Sequence, residues 1–154
     1  MTKEEFAKLK NPSIFDRDYR GRPLLLNPEI LANTKASIVN LIDDIAEALK
    51  PCNMTLSIHC LWESGGHVEN SRHYQGIACD FHIVSQHTFY IEISTLENIL
   101  GMMKVEHAVG LGLYPEWNNQ GFHLDTRGVK ARWGYVGAES TAYDLARRIA
   151  ERQR

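Results

Sequence analysis

Residues 71–84 read Ser-Arg-His-Tyr-Gln-Gly-Ile-Ala-Cys-Asp-Phe-His-Ile-Val, and they decide what kind of fold the chain has. From Ile77 onward apolar and polar side chains alternate, the period of a strand with one face on a core. Cys79, Phe81 and Ile83 share one face, and Asp80 and His82 share the other. A carboxylate in so apolar a strand needs a partner or a metal, because an unpaired buried charge is expensive. Just upstream, Ser71 and Gly76 suit a tight turn that brings His73 back over Asp80.

Working outward, Asn27 has the form of an N-cap, Pro28 of a first helical residue, and Glu29 sits at the positive end of the helix dipole. Ile30, Leu31, Thr34, Ile38, Leu41, Ile42, Ile45 and Leu49 then recur at helical spacing. They predict one long amphipathic helix that Pro51 ends. Before it, residues 2–9 suit a short helix, while Asn11-Pro12 and residues 16–23 suit loops. Residues 55–61 alternate as a strand, and residues 62–70, with Ser64-Gly-Gly66, form a loop. Ser94-Thr-Leu-Glu97 has the form of a capping box and predicts a helix to about Lys104. Residues 108–114 suit a buried strand in which Gly110 and Gly112 allow close approach. A turn over 115–121 leads to a strand over 122–126. Thr141 is expected to cap a last helix, with Ala142, Leu145, Ala146 and Ile149 inward and Arg147, Arg148, Arg152 and Arg154 outward. The order helix, strand, strand, helix, strand, strand, helix predicts an α+β domain, a small and mostly antiparallel sheet flanked by helices.

A chain of 154 residues without repeat or linker fits one domain over 1–154, large enough to bury a core unaided. Its 44% hydrophobic and 23% charged content is ordinary for a globular protein. A net charge of −2 argues against nucleic acid or an anionic membrane as the main partner. No apolar run reaches the length of a membrane span, and the first residues lack the apolar core of a signal peptide. The expectation is a protein cytoplasmic as synthesised. Cys52, Cys60 and Cys79 are odd in number and lack CxxC spacing, which speaks against a disulfide framework or a thiolate zinc site.

The second chemical signal is Phe122-His-Leu-Asp125. His73, Asp80 and His123 together make two imidazoles and one carboxylate, the protein half of an open zinc site in which water takes the remaining position. Asp125, two residues beyond His123, lies on the same strand face and suits a base or an outer partner of the histidine.

Ser71, His73, Gly76, Ala78 and Asp80 form Ser-x-His-x-x-Gly-x-Ala-x-Asp, which resembles the signature of the D-alanyl-D-alanine metallopeptidases. These zinc peptidases of bacterial cell walls share a fold with the Hedgehog signalling domain. Gly110-Leu-Gly-Leu-Tyr-Pro115, Gly121-Phe-His-Leu-Asp-Thr-Arg127 and Trp133 resemble the second half of the pattern, so the similarity covers about residues 24–135. It implies one zinc ion held by His73, Asp80 and His123, and metal-assisted hydrolysis of peptide bonds in peptidoglycan stems. The activity would be that of a carboxypeptidase or endopeptidase, as in enzymes of the phage-endolysin kind, meeting the wall after release or export. Two departures stand out. Many relatives carry an acidic base three residues before the last histidine, where this chain has Gln120, so in a catalytic domain Asp125 or Glu116 must serve. The Ser-Gly-Tyr-Arg run that relatives often have is replaced by Ser57-Ile-His-Cys-Leu-Trp62, which leaves Arg127 or Arg72 to stand in for its arginine, with His59 and Ser71 the other candidates to meet substrate. Both departures also allow a non-catalytic zinc-containing domain that binds cell wall or protein.

Overall fold

The computed structural model describes residues 1–153; of the arginines expected on the last helix, Arg154 lies outside them. Among the described residues there are five α-helices, α1 (Lys3–Phe6), α2 (Pro28–Asn33), α3 (Ala36–Leu49), α4 (Phe89–Met102) and α5 (Tyr143–Arg152). Six strands form one sheet: β1 (Thr55–Cys60), β2 (Ala78–Val84), β3 (Gly110–Tyr114), β4 (Gly121–Asp125), β5 (Ala131–Val136) and β6 (Glu139–Thr141). Their order is β1-β2-β4-β3-β5-β6, antiparallel throughout except for the parallel pair β3–β5. The architecture is therefore α+β with a mixed sheet. The strands β5 and β6 were not expected.

Alternation assigns the two faces of the sheet. Leu56, Ile58, Cys79, Phe81, Ile83, Leu111, Leu113, Phe122 and Leu124 point into one buried cluster with Ile38, Ile42, Ile45 and Leu49 of α3 and Ile93, Leu96 and Leu100 of α4. Phe122 is its centre, with Phe81 at 5.4 Å and Phe89 at 5.1 Å between ring centroids. Removing such a ring costs about 3–5 kcal/mol. The other face of β2, β4 and β3 carries Asp80, His82, His123, Asp125 and the two glycines.

Three helical expectations need correction. The long helix predicted from Asn27 breaks at Thr34. Asn27 does cap it, accepting from Glu29 N at 2.9 Å, but Thr34 is extended and its hydroxyl donates to Ile30 O at 2.7 Å. Lys35 N then donates to Gly76 O at 2.8 Å, so the break is filled by the turn that carries His73. The second helix starts earlier than the capping box suggested. Thr88 caps it, accepting from Ile91 N at 3.4 Å, and Ser94 and Thr95 lie mid-helix with their hydroxyls donating to Tyr90 O and Ile91 O. Thr141 belongs to β6, and α5 buries Ala146 and Ala150 whereas Leu145 is exposed. Close contact with β5 explains that choice, since a Cβ on Gly134 would lie 2.3 Å from the Ala146 methyl.

Candidate metal centre

Strand register alone assembles most of the site. Cys60 lies opposite Asp80, Asp80 opposite His123, His123 opposite Gly112, and Gly112 opposite Trp133. Side chains directly across neighbouring strands are within contact distance, so this one row sets a carboxylate beside an imidazole beside an indole. Glycine makes the row possible. A Cβ on Gly112 would lie 2.6 Å from Trp133 Nε1, and one on Gly110 would lie 2.7 Å from Asp125 Oδ2. The sheet surface is hollowed where those side chains fold across it.

His73 comes from the turn before β2 and not from the sheet. Ser71 Oγ accepts from His73 N at 3.3 Å, and Gly76 N donates to His73 O at 3.0 Å. Gly76 has φ +70°, and a Cβ there would lie 1.9 Å from Asn33 O. No other residue meets both demands. The turn is thereby clamped against the α2–α3 break, which fixes where His73 stands.

The hydrogen positions follow from the partners. His73 Nδ1 lies 2.7 Å from Leu61 O, and a carbonyl can only accept, so Nδ1 carries the proton. Its Nε2, 3.1 Å from Asp80 Oδ1, is the ring nitrogen left to bind a cation. His123 Nδ1 lies 2.8 Å from the same oxygen, while its Nε2 lies 2.9 Å from Asp125 Oδ2. Asp125 is fully buried and also accepts from Arg127, Nε at 2.7 Å and Nη2 at 2.6 Å. With the Nε2 proton of His123 held by Asp125, its Nδ1 faces Asp80 as a second lone pair. Two lone pairs and a carboxylate converging require a cation among them. A metal ion meets the requirement, and the ligand atoms of His73, Asp80 and His123 lie within 4.8 Å of one another. Without metal, the charge falls on protons. Burial opposes it on His123, but the Asp125 and Asp80 hydrogen bonds outweigh burial and raise that pKa to about 9. Burial likewise disfavours ionised Asp80, yet His73 and His123 hold it far below the usual carboxylate range.

The centre floors a cleft of about 540 Å³. Trp117 and Trp133 line it together with Tyr114, Tyr135, Arg72 and Arg127. Of the residues expected to meet substrate, Ser71 and Arg127 line the cleft and His59 does not. His59 Nε2 pairs with His82 Nδ1 at 2.7 Å and its ring stacks on Trp117, so it supports the cleft wall from behind. Neither expected base offers the cleft a free oxygen. Asp125 is spent on His123 and Arg127, whose salt bridge and hydrogen bonds hold it ionised against the effect of burial. Glu116 lines a separate hollow with His82 and Gln120 and accepts from Gly137 N. Gln120 binds Pro115 O and Gln153, also away from the centre.

Two further residues stand beside the ligands. His67 stacks on His73 with centroids 4.2 Å apart, its Nε2 2.6 Å from Glu63 Oε2. Cys60, a free buried thiol, lies 3.5 Å from Asp80 Oδ2 and 4.0 Å from His73 Nε2; burial, then Asp80, keeps it strongly protonated. Cys60, His67 and His73 form a second group whose ligand atoms lie within 4.8 Å. No protein-family model, curated protein or solved structure gives a significant match to the chain.

Proposed function

We propose that the protein is a zinc-dependent peptidase acting on the peptide stems of bacterial peptidoglycan, in a fold of the Hedgehog and D-alanyl-D-alanine peptidase kind. The observation that carries the metal part is the convergence of the His73 and His123 lone pairs on Asp80 Oδ1 at the floor of an open cleft. The substrate part is supported by the two sequence motifs that supply those three residues. His73, Asp80 and His123 would hold the ion. Zinc in such a three-ligand site supplies an acidified water and a Lewis acid for the scissile carbonyl.

The chain's own residues then have distinct tasks. Asp125 keeps the proton of His123 on Nε2 and so keeps Nδ1 free to bind. Arg127 spends Nε and Nη2 on Asp125, and its Nη1 is the nitrogen left for a substrate carboxylate or carbonyl oxygen. Among the residues lining the cleft, His67 is the imidazole outside the ligand set, and Glu63 orients it. In this reading it would accept a proton from the attacking water and return it to the leaving amine.

Digestion of purified peptidoglycan by the zinc-loaded chain should release peptide fragments with new amino termini, identified by mass, and His123→Ala should release none. Stoichiometric zinc with no cleavage, and equal retention of both proteins on the wall, would mean a binding domain instead. The positions of Asp125 and Glu116 outside the cleft are what favour that second reading.

A further inference from the structure

We propose that Cys60, His67 and His73 form a second seat for a soft, thiophilic cation, which competes with the His73–Asp80–His123 seat for one nitrogen of His73. The inference rests on reading His73, Asp80 and His123 as metal ligands, and adds a second way of loading the centre.

The strongest observation is an irregularity in β1. Ser57 pairs with His82 and Ile58 with Phe81, so continued pairing would set His59 opposite Asp80. A bulge between Ile58 and Cys60 instead puts Cys60 in that place. An inserted residue of this kind re-aims side chains and is frequent beside active sites. Here it delivers a thiol to the edge of the row that carries Asp80 and His123. The thiol sulfur is 3.7 Å from His73 Nδ1 and 4.0 Å from Nε2, and the ring of His67 closes the group from the cleft side. Glu63 on His67 Nε2 supplies the outer carboxylate that orients an imidazole ligand. A separate cavity of about 170 Å³ reaches Cys60 and Glu63.

The seats exclude each other. His73 Nδ1 is committed to Leu61 O, so Nε2 is its one free lone pair, and a nitrogen lone pair binds one ion. Softness separates them by degree. A thiolate with imidazoles is the softer donor set and favours thiophilic cations, whereas the carboxylate makes the other seat the harder one, and zinc suits the imidazoles of both. On binding, the sulfur–cation bond forms and the thiol proton leaves to solvent, with no change of oxidation state. A soft cation there would take His73 from the zinc site and His67 from the cleft together.

Cadmium is the probe. In a Cys52→Ser background, which removes the exposed thiol, cadmium should produce a near-ultraviolet thiolate-to-metal charge-transfer band at one ion per chain, and zinc should titrate it away. Cys60→Ser should abolish the band while zinc still binds. His67→Ala, in the segment between β1 and β2 and outside the buried cluster, should weaken cadmium about tenfold or more, the loss that even an outer partner of a ligand causes. Asp80→Asn should lose zinc and keep the cadmium band. Absence of the band in the parent, its survival in Cys60→Ser, or simultaneous binding of both ions would overturn the proposal. Zinc retained by Asp80→Asn, with the band intact, would instead overturn the His73–Asp80–His123 reading alone.

Discussion

Asp125 is where the geometry departs most from its expected role as a base, and Asp125→Ala separates the two roles. In the wild type one carboxylate accepts from His123 Nε2 at 2.9 Å and from Arg127 through two nitrogens, with no exposed surface of its own. Removing it leaves the His123 proton free to move to Nδ1, the atom that faces Asp80. Outer carboxylates of this kind are worth 10–100-fold in metal affinity, or about 1.4–2.8 kcal/mol. The substitution also strands Arg127. Breaking a buried pair costs about 3–5 kcal/mol, but Arg127 retains 20% side-chain exposure and can turn to water, so about 1–3 kcal/mol of lost stability is expected. Asp125→Asn should not rescue: one amide face would satisfy His123, but the other would set an NH₂ against the guanidinium. Asp125→Ala with Arg127→Ala should recover part of the stability and none of the zinc affinity. Chelator competition measures the affinity, and urea unfolding the stability. If Asp125→Ala binds zinc as tightly as wild type yet releases no peptide, the positioning role is wrong and Asp125 is the base after all.

Gly76→Ala should be among the most damaging small substitutions. The left-handed backbone costs about 1–2 kcal/mol with a Cβ, and the contact 1.9 Å from Asn33 O adds to it, so the urea midpoint and zinc affinity should fall together. Glu92 is buried with Ser85 Oγ donating to it at 2.6 Å; burial raises its pKa to about 7, and the Ser85 bond only partly opposes this. A raised folded pKa gives stability that is present below the unfolded value of about 4.5 and lost as pH rises through about 7. Glu92→Gln should therefore flatten stability across pH 4.5–7 and leave the protein more stable than wild type at pH 8, by urea unfolding at each pH.

What the sequence revealed, and what it hid, divides along physical lines. The faces of β2 and β4 were legible because a period of two needs no partner to be seen, and they placed Asp80 and His123 on one side of a core. The break at Thr34 was not, because helical spacing continues through it; it is imposed by Gly76 O on Lys35 N, a contact between distant segments. Strand β5 was hidden for a similar reason. Residues 131–136 read Ala-Arg-Trp-Gly-Tyr-Val, in which Gly134 weakens the strand signal but gives α5 room to dock. Spacing could not reveal Cys60 either. Thiolate sites are usually sought as CxxC pairs, whereas this thiol reaches the centre through a bulge.

That bulge bears on how the centre should be understood. A three-ligand zinc site needs only His73, Asp80 and His123, and regular pairing of β1 would supply them with His59 alongside. The extra residue moves His59 behind Trp117, where it pairs with His82, and sets a thiol against the ligands instead. Burial and the nearby Asp80 both oppose the thiolate, so in a metal-free centre Cys60 is a neutral neighbour. Only a cation able to displace its proton gives the residue a coordinating role. The turn before β2 therefore presents one imidazole, that of His73, to two sets of neighbours, and in the proposed scheme the ion that arrives selects between them.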